Sequence, residues 1–381
     1  MNIVREISPH STEVIEGPLT GSHASAWDAF VADHKAATLF HDRRWGDVIF
    51  QTYRYQPIYI LIYRDLVFAD GITSTKKTPQ VEKTLVGGLQ LIAVRSPLLG
   101  HSLISTAFTI GGGPLATDDT VLRTIINAAK DKGQAMGARY VEFRDDVSVD
   151  GDLNVDLGLS PKKDVYVNFK RQLEETDDQE MLAIPRRRRA EVRKGLRMLE
   201  GGNVCVDHDA DLKVFYDLYA ASLHRLGTPV FSCKFLSALK SAFNEQLFFS
   251  IVAVDSEPVY GLATFRFRDQ VMPYYMGASS TARQTNASDL AIFSLMQHGR
   301  SLGVGTFDFG RSKAGSTNAL YKKTWGFSAE PLTYQYALLN GNGLPNVNPN
   351  NPKFSLATRA WTKLPPFVAN QLGPILARNF A

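Results

Sequence analysis

Two stretches of this 381-residue chain run through the same order of patterns, and any fold must accommodate both. In the N-terminal half a mixed stretch from Ala26 to Thr52 reads as helical. It gives way to PIYILIYRD (Pro57 to Asp65) and TLVGGLQLIAVR (Thr84 to Arg95), whose β-branched and aromatic residues predict consecutive strands around a polar STKKTPQVEK loop. Beyond SLISTAFTIGGGP, the segment Thr120 to Gly137 repeats apolar residues at helical spacing, and Gly137 suits its C-terminal stop. A short strand, ARYVEFRDD, follows. In the C-terminal half Leu247 to Ser279 gives three strand-like runs, with turns expected at Ser256 to Pro258 and Arg268 to Asp269. The helix DLAIFSLMQHGRSLG (Asp289 to Gly303) comes next, with Leu290, Phe293, Met296 and Gln297 on one face, and TFDFGRS is the strand after it. GARYVEFRDD and GVGTFDFGRSK align: in each, a helix-ending glycine precedes an alternating strand that closes in Arg144 or Arg311. The expectation is an internal repeat, two α/β domains of the same kind with α+β mixed sheets. The alternative is a coincidence of two short blocks.

The length fits that reading, because domains usually hold about 100 to 200 residues. The boundaries expected are 1–177 for the first domain, 178–340 for the second, and 341–381 for a Gly, Pro and Asn linker with a C-terminal extension. With 44% hydrophobic and 21% charged residues the chain reads as globular, neither disordered nor fibrous. Cys205 and Cys233 are the only cysteines and lack metal-ligand spacing, so free thiols in a reducing compartment are expected and no metal site. The first residues, MNIVREISPHSTEVIEG, carry no uninterrupted apolar run of the kind a secretion signal needs. No stretch reaches the roughly 18 to 20 apolar residues that span a bilayer, and the expected address is cytoplasmic.

A net charge of +4 implies no anionic partner by itself, so the argument rests on where the cations gather. They gather at the joint between the halves, in IPRRRRAEVRKGLRMLEGG. Pro185 suits a helix start and Gly201 to Gly202 its end, giving a basic joint helix over 185–199. Arg186, Arg189, Arg193 and Arg197 share one face, while Val192, Leu196 and Leu199 occupy another. One face packs and the other is cationic. The cationic face reads as a solvated surface, as a phosphate clamp for a nucleotide-linked substrate using Arg189 and Arg193, or as part of an RNA surface.

The strand ending at Asp308 carries the densest chemistry. A strand that stops there exposes its last side chains at the sheet edge, where open sheets form their crevices. Gly310 allows a tight turn, Arg311 and Ser312 offer a forked cation and a hydroxyl, and the next helix start favours an anion. Asp308 can take the proton from an attacking ammonium, which with a pKa near 10 is otherwise protonated and unable to attack an acyl carbon. The plainer reading is that Asp308 and Arg311 pair and cap a helix. Tyr321 and Lys322, inside that helix, can face the crevice or the core, and Trp325 suits packing or substrate contact. Weaker signals are Thr228 and Ser232 in HRLGTPVFS, and Tyr274 and Tyr275, which strand alternation sends to opposite faces so that one at most meets substrate. TIGGGP (Thr109 to Pro114) lacks the Lys-Ser/Thr ending of a phosphate loop, and His41 in FHDRRW has no metal partners at ligand spacing. No Ser-His-Asp order is visible. The segment 353–381 is basic and amphipathic, and either rests on an anionic membrane or docks back on the protein.

These features together resemble the FemAB family, Fem-type acyl or aminoacyl transferases built from two GNAT (acyl-CoA N-acyltransferase) domains, and among them the FemAB-like, BioF2-like proteins associated with exosortase (PEP-CTERM) systems. FHDRRW, YVEFRDD, IPRRRRAEVRKG, LGTPVFS, FDFGRSK, and YKKTWGF followed by PLTYQY carry the likeness along nearly the whole chain. The resemblance implies a transferase, needing no cofactor, that makes an amide on an amine of a cell-envelope precursor, peptidoglycan or exopolysaccharide. The acceptor would be a small or glycan-linked amine beside the joint helix. The donor would be an acyl-CoA, an acyl carrier protein or an aminoacyl-tRNA, in a groove near Ser279 to Asp289. Catalysis would fall to Asp308, Arg311, Ser312, Tyr321 and Lys322, and substrate contact to Arg189, Arg193, Thr228, Tyr275, Lys313 and Trp325. Contact with the inner membrane through 353–381 fits the same picture. Three departures stand out. ARQTNASDL has no glycine where GNAT enzymes keep a glycine-rich pyrophosphate loop, the coiled-coil arm of tRNA-dependent bridge enzymes is missing, and the tyrosine of YKKTWGF sits one residue further from its Gly-Phe pair. A degenerate GNAT pair that binds without catalysis, an assembly module at the membrane, is the competing reading.

Overall fold

The computed structural model describes residues 3–6, 10–69, 80–97, 100–144, 156–282, 284–340 and 358–379. Its elements begin with β1 (Ile3–Glu6), β2 (Ser11–Glu16), α1 (Gly21–Asp33), α2 (Arg43–Tyr53), β3 (Gln56–Ala69), β4 (Gln80–Ser96), β5 (Gly100–Ser105), β6 (Leu115–Ala116), α3 (Asp119–Ala135) and β7 (Tyr140–Arg144). There follow β8 (Leu159–Asn168), β9 (Lys170–Gln172), α4 (Asp177–Ala183), α5 (Arg186–Glu200), β10 (Val204–Asp207), α6 (Leu212–Arg225), α7 (Cys233–Phe243), β11 (Leu247–Val254), β12 (Glu257–Phe267) and β13 (Gln270–Ala278). The chain ends with α8 (Ala287–Ser301), β14 (Thr306–Asp308), β15 (Ser312–Lys313), α9 (Thr317–Lys323), β16 (Glu330–Leu338) and α10 (Pro366–Ala377). Two compact units result, Met1–Lys162 with Thr333–Pro345, and Lys163–Leu332 with Asn346–Phe380.

In the first unit the alternation of β3 explains the layers. Ile58, Ile60 and Ile62 pack against Val121, Ile125 and Ile126 of α3, while Tyr59, Leu61 and Tyr63 join Trp27 and Val31 of α1. Both faces of the strand are therefore covered, which is why it reads as a nearly unbroken apolar run. β3 pairs antiparallel with β4, and β4 with β5; β5 then pairs parallel with β7 after the α3 crossover, and β16 closes antiparallel on β7. The helical stretch expected over Ala26 to Thr52 is two helices, parted by a short 3-10 turn whose start is capped by Thr38 and His41. The strand expected to open at Thr84 starts earlier, because Gln80 to Lys83 continue the ladder opposite Phe68 to Asp65. The rest of that loop (74–79), Asp145, Asp146, Arg283 and the linker residues 341–353 lie outside the described residues. TIGGGP is neither open nor a phosphate cradle. Its carbonyls accept from Arg144 at Thr109, from Tyr334 at Ile110 and from Thr109 at Gly111, and Gly113 O lies 2.9 Å from His41 Nε2.

The second unit repeats the order. Its sheet runs β10-β11-β12-β13-β14-β9, antiparallel from β10 to β13, parallel between β13 and β14, and antiparallel again to β9. The third strand, the helix and the fourth strand thus form a parallel crossover in each unit, as the repeat predicts. The first hairpin turn lies at Asp255 and Ser256, one residue earlier than expected, with both residues at positive φ (49° and 69°). α8 buries more than one stripe: Leu290, Ala291, Ile292, Phe293, Leu295 and Met296 are all covered. One cover is α5, whose Val192 and Gly195 face it; a Cβ on Gly195 would stand 2.9 Å from Leu290 Cβ, so the glycine lets the helices close. On the opposite face, Phe215 of α6 stacks on Phe249 of β11 with centroids 5.1 Å apart.

Candidate active site

The strand tip is built by burial, not exposure. All three residues of β14 are buried, and Asp308 is 5% exposed, because β9 pairs alongside with Lys170 opposite Asp308. This corrects the expectation of side chains bared at a sheet edge. Past the strand, Gly310 turns the chain at φ 72°, and its amide donates to Asp308 Oδ1 at 2.8 Å. Burial lifts the Asp308 carboxyl above the ordinary carboxylate range, against the opposing pull of the Gly310 amide, Lys170, Asn168 and Lys322.

Lys322 of α9 approaches the same turn from its other side. Its Nζ donates to Gly310 O at 2.8 Å and Arg311 O at 3.1 Å, and lies 5.6 Å from the ring centres of Phe169 and Phe309. The lysine is 6% exposed, and burial brings its pKa down to about 8, an effect that Asp308 opposes and Arg311 reinforces. Arg311 lays its guanidinium 4.2 Å over the Tyr166 ring. Ser312 is buried, and with Lys313 it pairs with Val167 and Tyr166 of β8. The amides at the start of α9 do not wait for an anion: Ser316 caps the helix and accepts from Ala319 N.

A second polar cluster ties three helices together. Asp289, in the first turn of α8, receives Arg188 Nη1 of α5 at 2.6 Å and the Tyr321 hydroxyl of α9 at 2.9 Å on the same Oδ1. Arg188 also donates to Thr324 Oγ1 and stacks 4.6 Å over the Tyr321 ring. Burial raises Asp289 above its ordinary value, with Arg188 and Tyr321 pulling against it. The hydroxyl of Tyr321 is held well above its ordinary value by burial and by Asp289, so it stays protonated with its hydrogen committed to the carboxylate. Tyr260 of β12 is likewise raised by burial and then by Asp289.

The pairing of β13 with β14 is short. β13 and β14 share only the pairs Gln270 with Thr306 and Val271 with Phe307, and β13 then continues from Met272 to Ala278 without a β14 neighbour. Within that free run, the register with β12 slips between Ala263 and Thr264, leaving Tyr274 as an extra residue. Such a bulge re-aims side chains. The expected opposition of Tyr274 and Tyr275 is lost, and their rings stand edge to face with centroids 4.8 Å apart.

A sequence model for the acetyltransferase (GNAT) domain matches residues 186–323. That span holds Arg188, Asp289, Asp308, Tyr321 and Lys322. The crystal structure of FemX is similar over 85% of this chain and 98% of its own, with 16% identity and a TM-score of 0.60. L-PGS from Bacillus licheniformis is similar over 89% of this chain and 97% of its own, at 16% identity and TM-score 0.52. A conserved protein of unknown function from Bacteroides thetaiotaomicron aligns over 86% of this chain and all of its own, at 9% identity and TM-score 0.50. No curated protein matches the sequence. The chain has the tandem GNAT fold.

On this GNAT scaffold the remaining candidates are scattered. Arg189 is turned back on its own backbone, donating to Leu182 O and Ile184 O, while Arg186, Arg193 and Arg197 are exposed along α5. Thr228 is exposed, and its amide donates to Leu223 O in the loop after α6. Tyr275 is buried against Tyr219 and Phe231. Trp325 is wholly buried in the aromatic core beside Phe309 and Tyr321. The structure therefore gathers Asp308, Arg311, Ser312 and Lys322 at one turn and places Tyr321 in the Asp289 cluster. Sequence reasoning missed Arg188, Tyr260 and Asn168 and took Asp289 only as the edge of a groove. An acidic residue in a helix's first turn was the available signal for Asp289; Arg188 was masked by three neighbouring arginines.

The GNAT fold implies a donor pyrophosphate at the start of α8, and the residues there do not fit one. Three of its first amides have local acceptors, Asp289 N and Leu290 N donating to Asn286 O and Ala287 N to Ala282 O, and the first turn carries the acidic Asp289, which disfavours an anion at a helix start.

Proposed function

We propose that this protein transfers an acyl or aminoacyl group to the amine of a cell-envelope or exopolysaccharide precursor. The observation that carries the reading is the buried turn at Gly310, which joins a raised carboxyl, Asp308, to a lowered ammonium, Lys322, on a GNAT scaffold. A carboxylate with an elevated pKa is a stronger base than an ordinary one. In the proposed step the acceptor amine gives its proton to Asp308 and its nitrogen attacks the acyl carbon. The N–C bond forms, the C–S or C–O bond to the carrier breaks, and the leaving thiolate or alkoxide is protonated from solvent. Lys322 is the positioning residue, since its two carbonyl contacts fix the turn. Arg311 and Ser312 supply the cation and hydroxyl for a carbonyl or anionic group, and the exposed Arg193 is suited to acceptor phosphate.

The misfit at α8 favours a donor delivered on a carrier protein or tRNA over free acyl-CoA. The same carboxylate favours one second reading, a GNAT pair that binds its ligand without turnover. The test has two arms. Native mass spectrometry of protein from its own host shows which donor travels with it. Asp308→Asn is then compared with wild type on that donor and an amine acceptor. Loss of amide formation with donor affinity retained supports the base role; amide formation at the wild-type rate overturns it. A wild-type protein that retains donor and never releases amide selects the binding module.

A further inference from the structure

The last helix is turned the unusual way round. α10 has no charged residue, PFVANQLGPILA, and it meets the protein through its smallest side chains: Ala369, Gly373 and Ala377 are buried, four residues apart. A Cβ on Gly373 would stand 3.0 Å from both Val230 N and Val230 Cγ1, so this face is fitted closely to the loop after α6. The bulky apolar residues point away. Phe367 is 68% exposed, Ile375 59%, Leu372 42% and Leu376 41%. At 3.6 residues per turn these four fall within about half the circumference, opposite the small-residue stripe. Asn370 and Gln371 are the helix's polar side chains, both exposed, and Gln371 falls between Phe367 and Ile375; an apolar face this wide normally lies against a cover, and among the described residues this one has none.

The charge around it says what covers the other side. The 51 residues after Glu330 contain four Lys or Arg and no Asp or Glu, in a chain with 38 acidic residues among 381. Arg359, Lys363 and Arg378, all exposed, flank the helix at its two ends. Twelve residues of helix measure about 18 Å, too short for a bilayer core of roughly 30 Å. A short helix with a wide apolar face, basic flanks and no acid is suited to lying in the plane of an anionic lipid surface.

We propose that α10 is a membrane-docking element that seats Phe367, Leu372, Ile375 and Leu376 in the headgroup boundary of anionic lipid. Arg359, Lys363 and Arg378 steer it there. The proposal is independent of the transferase reading, since no residue of the strand tip enters it.

The test is co-sedimentation of the full chain with phosphatidylcholine vesicles with and without phosphatidylglycerol. Wild type is expected to bind the phosphatidylglycerol vesicles and to release as salt rises. Phe367→Asp with Ile375→Asp should bind roughly ten-fold or more weakly, as expected for two lost apolar anchors. Both residues are exposed, so the variant should keep the wild-type circular dichroism. Phe367→Trp preserves the face in any event, and its emission, taken as a difference from wild type, should shift to the blue on anionic vesicles. Failure of wild type to bind, or equal binding by wild type and the double variant, overturns the proposal. So does a lipid-free dimer in light scattering that the double variant abolishes, because a second copy would then be the cover.

Discussion

The Arg188 guanidinium and the Asp289 carboxylate, 101 residues apart in sequence, meet at 2.6 Å with side-chain exposures of 18% and 7%. The contact joins the first turn of α5 to the first turn of α8, and the Tyr321 hydroxyl on the same oxygen adds α9. A lone buried carboxylate is costly, and the arrangement works only as a set.

Removing one member should therefore cost more than removing the pair. Arg188→Met is expected to lower stability by roughly 3 kcal/mol, because it leaves Asp289 buried with only the tyrosine hydroxyl. Arg188→Met combined with Asp289→Leu should lose less than that single change. Urea denaturation of the two singles and the double gives the coupling directly, and additive losses would show that the pair is incidental.

Gly277 offers a test of the sheet rather than the cluster. A Cβ there would stand 2.6 Å from the Tyr219 N and Cα and 2.8 Å from Leu218 C, all backbone atoms of α6 that cannot swing aside. Gly277→Ala is expected to destabilise by about 1 to 3 kcal/mol through overpacking, read as a lower thermal midpoint. Gly310→Ala meets nothing within 4 Å but sits at φ 72°, so its cost should be nearer 1 kcal/mol, the usual order for a side chain in the left-handed region.

How much of this was legible in the sequence depends on whether an interaction is local. The repeat was readable because strand alternation, helical spacing and Gly137 or Gly303 leave their marks within a few residues. The pairing of β14 with β9 was not, since Lys170 to Gln172 are three polar residues with no strand pattern, and yet they bury Asp308. The Tyr274 bulge escaped for a related reason: which residue is extra depends on the partner strand, Ala263 and Thr264. Among the arginines of α5, spacing alone ranked Arg189 above Arg188. The choice is made by what lies opposite, carbonyls of its own chain turn for one and the Asp289 carboxylate for the other.

Lys322 should leave a signature in alkali. Its folded pKa, about 8, lies below the ordinary 10.5, so between those values the unfolded chain holds more protons than the folded one. The corresponding stability is complete above the unfolded value and is lost as pH falls through about 8. Denaturation midpoints of wild type should accordingly rise across that window relative to Lys322→Met, whose profile lacks the step. Parallel profiles would mean that the lysine titrates as if exposed.

His208 should do the same in acid, at a place remote from the strand tip in sequence. Its Nδ1 lies 2.8 Å from Ser250 Oγ and its Nε2 2.9 Å from Ser294 Oγ, while its ring stacks on His298 at 4.3 Å with 4° between the planes. One ring nitrogen can donate to one serine and the other accept from the second, so the neutral ring satisfies both hydroxyls. Burial, followed by the repulsion of His298, brings the His208 pKa down to about 4 from 6.5. Here too the folded value is the depressed one. The stability is present above 6.5 and is lost as pH falls through about 4, when the unfolded chain takes a proton that the folded one refuses. His208→Gln, which keeps one donor and one acceptor, should flatten the acid limb of the stability profile. The ring nitrogen shifts in NMR should show His208 still neutral where an ordinary histidine is charged, and a midpoint near 6.5 would contradict the assignment.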